Sequence, residues 1–428
     1  MQSIYIFRAA ARVASHAPRE ARFGRTMTAI PRYRSHVGPV ILSTGFRPFF
    51  LGSSIWAAVA IPLWLGAYVE GLALPTKLAP VIWHAHEMVF GYAAATVAGF
   101  LLTAIPNWTG RMPLQGAPLA TLVLLWMIGR FGVLLSAEIG APAAAVADLC
   151  FPAVFLAVVT REILAGRNWR NLPMLGALLL LLLGNLLVHL DALDLVDTAE
   201  LGNRLGLVML FMLISLVGGR IIPSFTRNWL AKSRPGVAPP VPEARFDRAA
   251  LVVTGLALLI WTIAPDAAVT PWAALAAGIA VALRLSRWRG LHTVPEPLLL
   301  ILHVGYGWLS LGLLLLGFNR LTDMLPATAA LHALTVGAVG TMTLAVMTRA
   351  SLGHTGRPLS AGPATKAIYG LITVAALLRI LSPLAGDQLE LALWLAGTAW
   401  SCAFGLFAVF YGFVLVRPRV RNELTRPI

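Results

Sequence analysis

His84-Ala85-His86-Glu87-Met88 opens a stretch that runs through an apolar segment, Met88 to Ile105, and ends in Pro106-Asn107-Trp108-Thr109-Gly110-Arg111. The apolar segment has the length of a bilayer-crossing helix, for which roughly 20 residues suffice. Two imidazoles and a carboxylate stand at its head. Ionisable groups leading into a membrane helix are costly to retain, so the cluster reads as a functional site.

The rest of the chain has the same character. Of 428 residues, 58% are apolar and 12% charged, with a mean hydropathy of +0.79. Soluble domains carry about 25% charged residues, so this composition belongs in a membrane. Apolar runs bounded by Pro, Gly or charge recur near 48–69, 84–105, 117–137, 142–164, 172–191 and 201–222, then 248–264, 270–287, 294–317, 325–348, 363–382 and 389–416. They predict an all-α, polytopic membrane domain of twelve helices over 41–428. A Pro-rich, mixed-charge linker on the cytoplasmic side is expected over 224–247. Residues 1–40 hold seven arginines and no long apolar run, and predict a flexible basic cytoplasmic tail. That tail lacks the apolar core of a secretory signal, and Met27 is a second candidate start.

The net charge of +15 is explained by topology rather than by nucleic acid. With both termini cytoplasmic, Lys77, Arg204 and Arg320 fall outside and Arg130 and Arg379 within spans; the other Lys and Arg lie in the tails, inner loops or inner helix ends. Asp191, Asp194, Asp197 and Glu200 mark an outer loop. This is the positive-inside pattern of a bacterial cytoplasmic membrane protein, and the lipid bilayer is its first partner. No Walker or dinucleotide fingerprint occurs in a loop, which argues against nucleotide-driven transport. Cys150 and Cys402 sit singly in apolar segments and match no metal or disulfide framework.

The opening stretch recurs. Adding 246 carries His86 to His332, Gly91 to Gly337 and Thr109-Gly110-Arg111 to Thr355-Gly356-Arg357. Adding 117 carries Ile105-Pro106-Asn107-Trp108-Thr109 to Ile222-Pro223-Ser224-Phe225-Thr226, with Asn203 at the histidine position. Helices 2, 6 and 10 are therefore equivalent in a chain of three four-helix units. Pro106 and Pro223 are expected to end their helices.

This topology puts His84, His86, His189 and His332 in the outer third of the bilayer and His303 nearer mid-depth. Neutral imidazole suits iron, copper and zinc, and axial haem ligation needs histidines on facing helices. His86 and His332, in repeat register, are the candidate haem ligands; His84, His189 and His303 are the candidates for copper. Each of the first pair is followed five residues later by Gly91 or Gly337, which permits a ring or a helix to approach. His84 and His86 share one metal only if His84 precedes the helix. Glu87 is a candidate to fix a ring N–H or relay protons. Arg130 and Arg379 each need a partner within a span, and Asp148 on helix 4 is the candidate for Arg130. Arg111 and Arg357 read as residues snorkelling to lipid phosphate.

Phe46-Arg47-Pro48-Phe49-Phe50, His84 to Gly91, Gly99 to Ala104 with Pro106 to Gly110, Gly218-Gly219-Arg220 with Pro223, and Leu331-His332 through Arg349 to Arg357 together resemble the NnrS family of bacterial membrane proteins. The resemblance spans about 41–416. It implies a twelve-helix inner-membrane protein that holds haem and copper and is linked to nitric oxide metabolism, denitrification and resistance to nitrosative stress. Three four-helix units with histidines on helices 2 and 10 also resemble the catalytic subunit of haem–copper oxidases. Helices 6 and 7 here lack that superfamily's copper-binding histidines, so oxygen reduction is not implied. A second class of function, a transporter or metal carrier with a histidine-lined pathway, is less compatible with parallel repeats than with inverted ones. Catalytic turnover and an electron donor are not specified by these residues.

Overall fold

The computed structural model describes residues 36–241, 245–322, 324 and 326–420; most of the expected basic tail, residues 1–35, lies outside them. Helices appear at all twelve expected places: α1 Phe46–Tyr68, α2 Pro80–Thr109, α3 Ala117–Leu134, α4 Ala141–Ala165, α5 Trp169–Ala192, α6 Ala199–Ser233, α7 Arg245–Ile263, α8 Thr270–Ser286, α9 Pro297–Thr322, α10 Ala327–His354, α11 Pro363–Leu384 and α12 Gly386–Val416. Eleven are long and apolar enough to cross a membrane, and α8, with 17 residues, is a shorter apolar helix packed between α7 and α9. No strand occurs among the described residues. The chain is thus an all-α polytopic membrane protein.

Two helix ends differ from expectation. Pro106 and Pro223 lie inside α2 and α6 rather than ending them. Proline removes one backbone bond, and each helix carries on beyond it. What stops α2 is Gly110, in the left-handed region at φ 70°, whose N–H bonds the Pro106 carbonyl. Because α6 continues to Ser233, the connection to α7 is shorter than the expected 224–247. Arg111 is not aimed only at lipid: it pairs with Glu162 of α4.

Helices α2, α6 and α10 meet at the centre. Tyr92 of α2 bonds Thr343 of α10, and Thr96 donates towards the Met347 sulfur at 3.9 Å. Val89 and Phe90 pack on Gly206 of α6, where any Cβ would strike them. Each of the three helices contains a π-helical turn, at Glu87–Ala93, Ile214–Gly218 and Ala333–Gly340. The first and third begin one residue after His86 and His332, 246 residues apart. Such turns place an extra residue in the helix and recur at functional sites.

Candidate metal centre

Helix α2 begins at Pro80, so His84 and His86 both lie on regular helix and diverge. His86 turns into the bundle and is fully buried, as is Glu87. Its Nδ1 faces Glu87 Oε1 at 3.0 Å, and its Nε2 faces Asn185 Oδ1 at 2.8 Å and Asp148 Oδ2 at 3.2 Å. His189 of α5 reaches the same Asp148 oxygen through Nε2 at 3.0 Å. Asn185, one turn earlier on α5, donates to it at 2.8 Å. One ligand atom each from His86, Asp148 and His189 lies within 4.8 Å of the others.

Arg130 of α3 ties the two carboxylates together. Its Nη1 donates to Glu87 Oε2 at 2.6 Å and its Nη2 to Asp148 Oδ1. Trp56 of α1 adds an indole N–H to Glu87 Oε2 at 2.7 Å, and Trp126 donates to the Gly91 carbonyl at 3.0 Å. Two glycines make this possible. A Cβ on Gly91 would stand 2.7 Å from both Arg130 Nη1 and Glu87 Oε2; one on Gly129 would stand 2.7 Å from Asp148 Oδ1 and 3.0 Å from its Cα. Gly91 therefore serves an ion pair rather than a cofactor ring, and its repeat partner Gly337 accommodates Trp308.

The cluster holds two carboxylates against one guanidinium. With neutral imidazoles it carries one net negative charge in a buried, apolar setting. An uncompensated charge there is expensive, so one further positive charge belongs in the network: an imidazole proton or a bound cation. The geometry can do both. Glu87 holds the distal nitrogen of His86, which orients the ring as a carboxylate does behind a metal-bound histidine.

The remaining candidates lie elsewhere. His84 stacks on Trp64 of α1, with ring centroids 4.2 Å apart, and its Nδ1 is buried without a partner. His332 bonds the Thr328 carbonyl through Nδ1 at 2.6 Å and is in electrostatic range of His84 and Arg379, but makes no ring or hydrogen-bond contact with His86. Arg379 bonds Ser382 on its own helix at 2.9 Å and has no carboxylate partner among the described residues. His303 of α9 faces Thr226 of α6 at 3.0 Å and packs on Gly290, apart from the other histidines. The structure thus brings together His86, Glu87, Arg130, Asp148 and His189, while His84 packs on Trp64 and His332 on its own helix.

Sequence reading missed Asn185, Trp56 and Trp126. Asn185 had a signal: it is the one amide in the Leu-rich run of α5, four residues before His189 and hence on its face. The tryptophans had none among 13.

Comparison with curated proteins returns no match. The family model described as NnrS protein matches residues 40–419, covering every helix of the bundle and both histidine groups. The chain therefore belongs to the NnrS family.

Proposed function

We propose that the chain is a metal-binding protein of the bacterial cytoplasmic membrane, carrying haem and copper, with both termini cytoplasmic. It acts in nitric oxide metabolism or in protection against nitrosative stress, in the setting of denitrification. The observation that carries this reading is the buried donor set of His86, His189 and Asp148, one positive charge short, in a chain of the NnrS family.

The donor chemistry fits a first-row metal ion. Two imidazoles suit copper or iron, and the carboxylate favours Cu(II) or Fe(II) over the softer Cu(I). The second histidine group fits haem. The Nδ1 bond of His332 to the Thr328 carbonyl leaves its Nε2 as the ligating nitrogen. His84 Nδ1, Trp64 Nε1 and Trp308 Nε1 are buried polar atoms without partners on the helices around it. Both ring nitrogens of His86 are engaged, so in this reading His84 of α2 and His332 of α10 would hold the haem and His86 would serve the metal ion. When bound, haem and copper supply reducible centres that take a diatomic molecule as ligand.

The protein contributes orientation and exclusion of water. Glu87 fixes the tautomer and tilt of His86, Arg130 holds both carboxylates in place, and Asn185 holds the Asp148 oxygen between the imidazoles. Nitric oxide is apolar and partitions into lipid, so it reaches a buried centre without a polar channel.

The test is metal analysis and an absorption spectrum of detergent-purified protein, oxidised, reduced with dithionite, then exposed to nitric oxide. A Soret band that moves on reduction and again on nitric oxide, with a second metal lost in His189→Ala, is the expected result. Fully folded protein with neither haem nor metal sinks the reading.

A further inference from the structure

We propose that the opposite end of the bundle holds a second site, a vestibule for an amphiphilic anion whose acid group sits between Arg220 and Arg349. A cavity of about 580 Å³ opens there, within the ~300–1,000 Å³ typical of small-molecule sites. From His86 to Thr103 along α2 is 17 residues, so the cavity lies roughly 25 Å from the metal cluster.

The cavity is built from repeat-equivalent positions of the three central helices. Adding 117 and 246 to Thr103 gives Arg220 and Arg349, and all three line it. The same additions carry Trp108 to Phe225 and His354, which form an aromatic mouth one turn further on. On the other side Phe100, Val217 and Val346, again equivalent, close it with an apolar roof. Three helices in one register enclose a void on their common axis, with two guanidiniums at one level.

Those guanidiniums have no hydrogen-bonded partner among the described residues: neither Arg220 nor Arg349 makes a hydrogen bond or salt bridge there, although Glu296 lies in electrostatic range of Arg349. Arg349 is seated over the Phe225 ring, 4.3 Å from its centroid, and both residues line the cavity. The Thr103 hydroxyl donates to the Gly99 carbonyl at 2.7 Å, so at this level the arginines are the charged donors lining the void. Planar guanidiniums bind carboxylate or phosphate through paired hydrogen bonds. The remaining wall, with Phe46, Phe50 and Leu302, is mostly apolar, with the amides of Asn107 and Asn171 at its edge. A small inorganic anion would leave most of it unfilled; an acid group on an apolar body matches both parts.

Two sources share this chemistry: an acidic phospholipid and a tetrapyrrole bearing carboxylates. A tetrapyrrole here would be distinct from the haem placed at His84 and His332, at the other end of the bundle; neither source depends on that haem. The full chain, delipidated in detergent, is titrated separately with phosphatidylglycerol and with haemin, using diacylglycerol as the neutral control, and adducts are counted by native mass spectrometry. One equivalent of one anionic probe is expected, weakened about tenfold in each of Arg220→Gln and Arg349→Gln. Ala350→Trp, which fills the void without touching charge, should abolish it; His86→Ala should leave it intact. Arg220→Lys, retaining partial binding, separates lost charge from misfolding, and size exclusion checks each variant. Phosphatidylglycerol binding with no haemin binding supports the site while removing its tetrapyrrole source. Binding of neither probe, or equal binding by the double glutamine variant, overturns the proposal.

Discussion

Arg130→Met tests the ion network at its hinge. Arg130 is 2% exposed and, among the described residues, the only guanidinium bonded to Glu87 and Asp148, which are 0% and 1% exposed. Methionine fills much of the same space and leaves two carboxylates buried together without their guanidinium. Removing one partner of a buried pair costs about 3–5 kcal/mol, and here both carboxylates lose theirs. Replacing a whole ion network with neutral groups of similar shape is far milder, often neutral within roughly 1–2 kcal/mol. The triple variant Arg130→Met, Glu87→Gln, Asp148→Asn should therefore be more stable than Arg130→Met alone. The assay is SDS-induced unfolding from mixed micelles after chelation, followed by tryptophan fluorescence, so that metal binding does not enter. A triple variant as unstable as the single one would refute the view that charge compensation, rather than packing, makes Arg130 indispensable.

Gly91→Ala places a methyl group 2.7 Å from Arg130 Nη1 and Glu87 Oε2, so a loss of about 1–3 kcal/mol is expected in the same unfolding assay. Binding of a divalent ion, titrated calorimetrically with Co(II) or Cu(II), should show one site abolished by His86→Ala or His189→Ala and untouched by His303→Ala; loss in the last would move the centre towards α9. Asn185→Leu removes the amide that holds Asp148 Oδ2, and should weaken that metal about tenfold while changing secondary structure by circular dichroism very little. Arg284 forms a separate buried pair with Asp247 at 3.1 Å and also bonds Tyr306 and the Ser215 carbonyl. Arg284→Met should destabilise by about 3–5 kcal/mol yet leave metal stoichiometry unchanged, a contrast that metal analysis of the folded fraction checks.

The helices were legible because apolar length and the distribution of arginine obey the bilayer, which admits few alternatives. The pairing of Arg130 with Asp148 was legible for the same reason: a guanidinium inside a span needs a carboxylate on a neighbouring helix. The partition of the histidines was not. His84 and His86 differ by two positions, and which of them turns to α5 and which to α10 depends on helix phase. That phase is set by the start of α2, which Pro80 marks at its first position, and by the π turn from Glu87, which has no residue code. Depth grouped His84, His86, His189 and His332, and repeat register paired His86 with His332, while lateral packing put His86 beside His189. Pro106 misled about the end of α2 because a proline late in a helix interrupts one bond without supplying a stop; the left-handed Gly110 supplies it.

The π turns bear on how the two ends of the bundle are kept in step. An α-helix advances about 100° per residue, so one extra residue rotates everything before it against everything after it by about that angle. In α2 the turn lies between His86 and the cavity-lining face from Phe100 to Trp108, and in α10 between His332 and the face from Val346 to His354. Each acts as a phase shifter, letting one rod present its imidazole to one neighbour and its inner face to the central axis. Deleting a single residue within Glu87–Ala93 would relax the rod to uniform pitch and swing one end out of alignment. The two ends are thus independently aimed, and a histidine end could be re-aimed without rebuilding the vestibule.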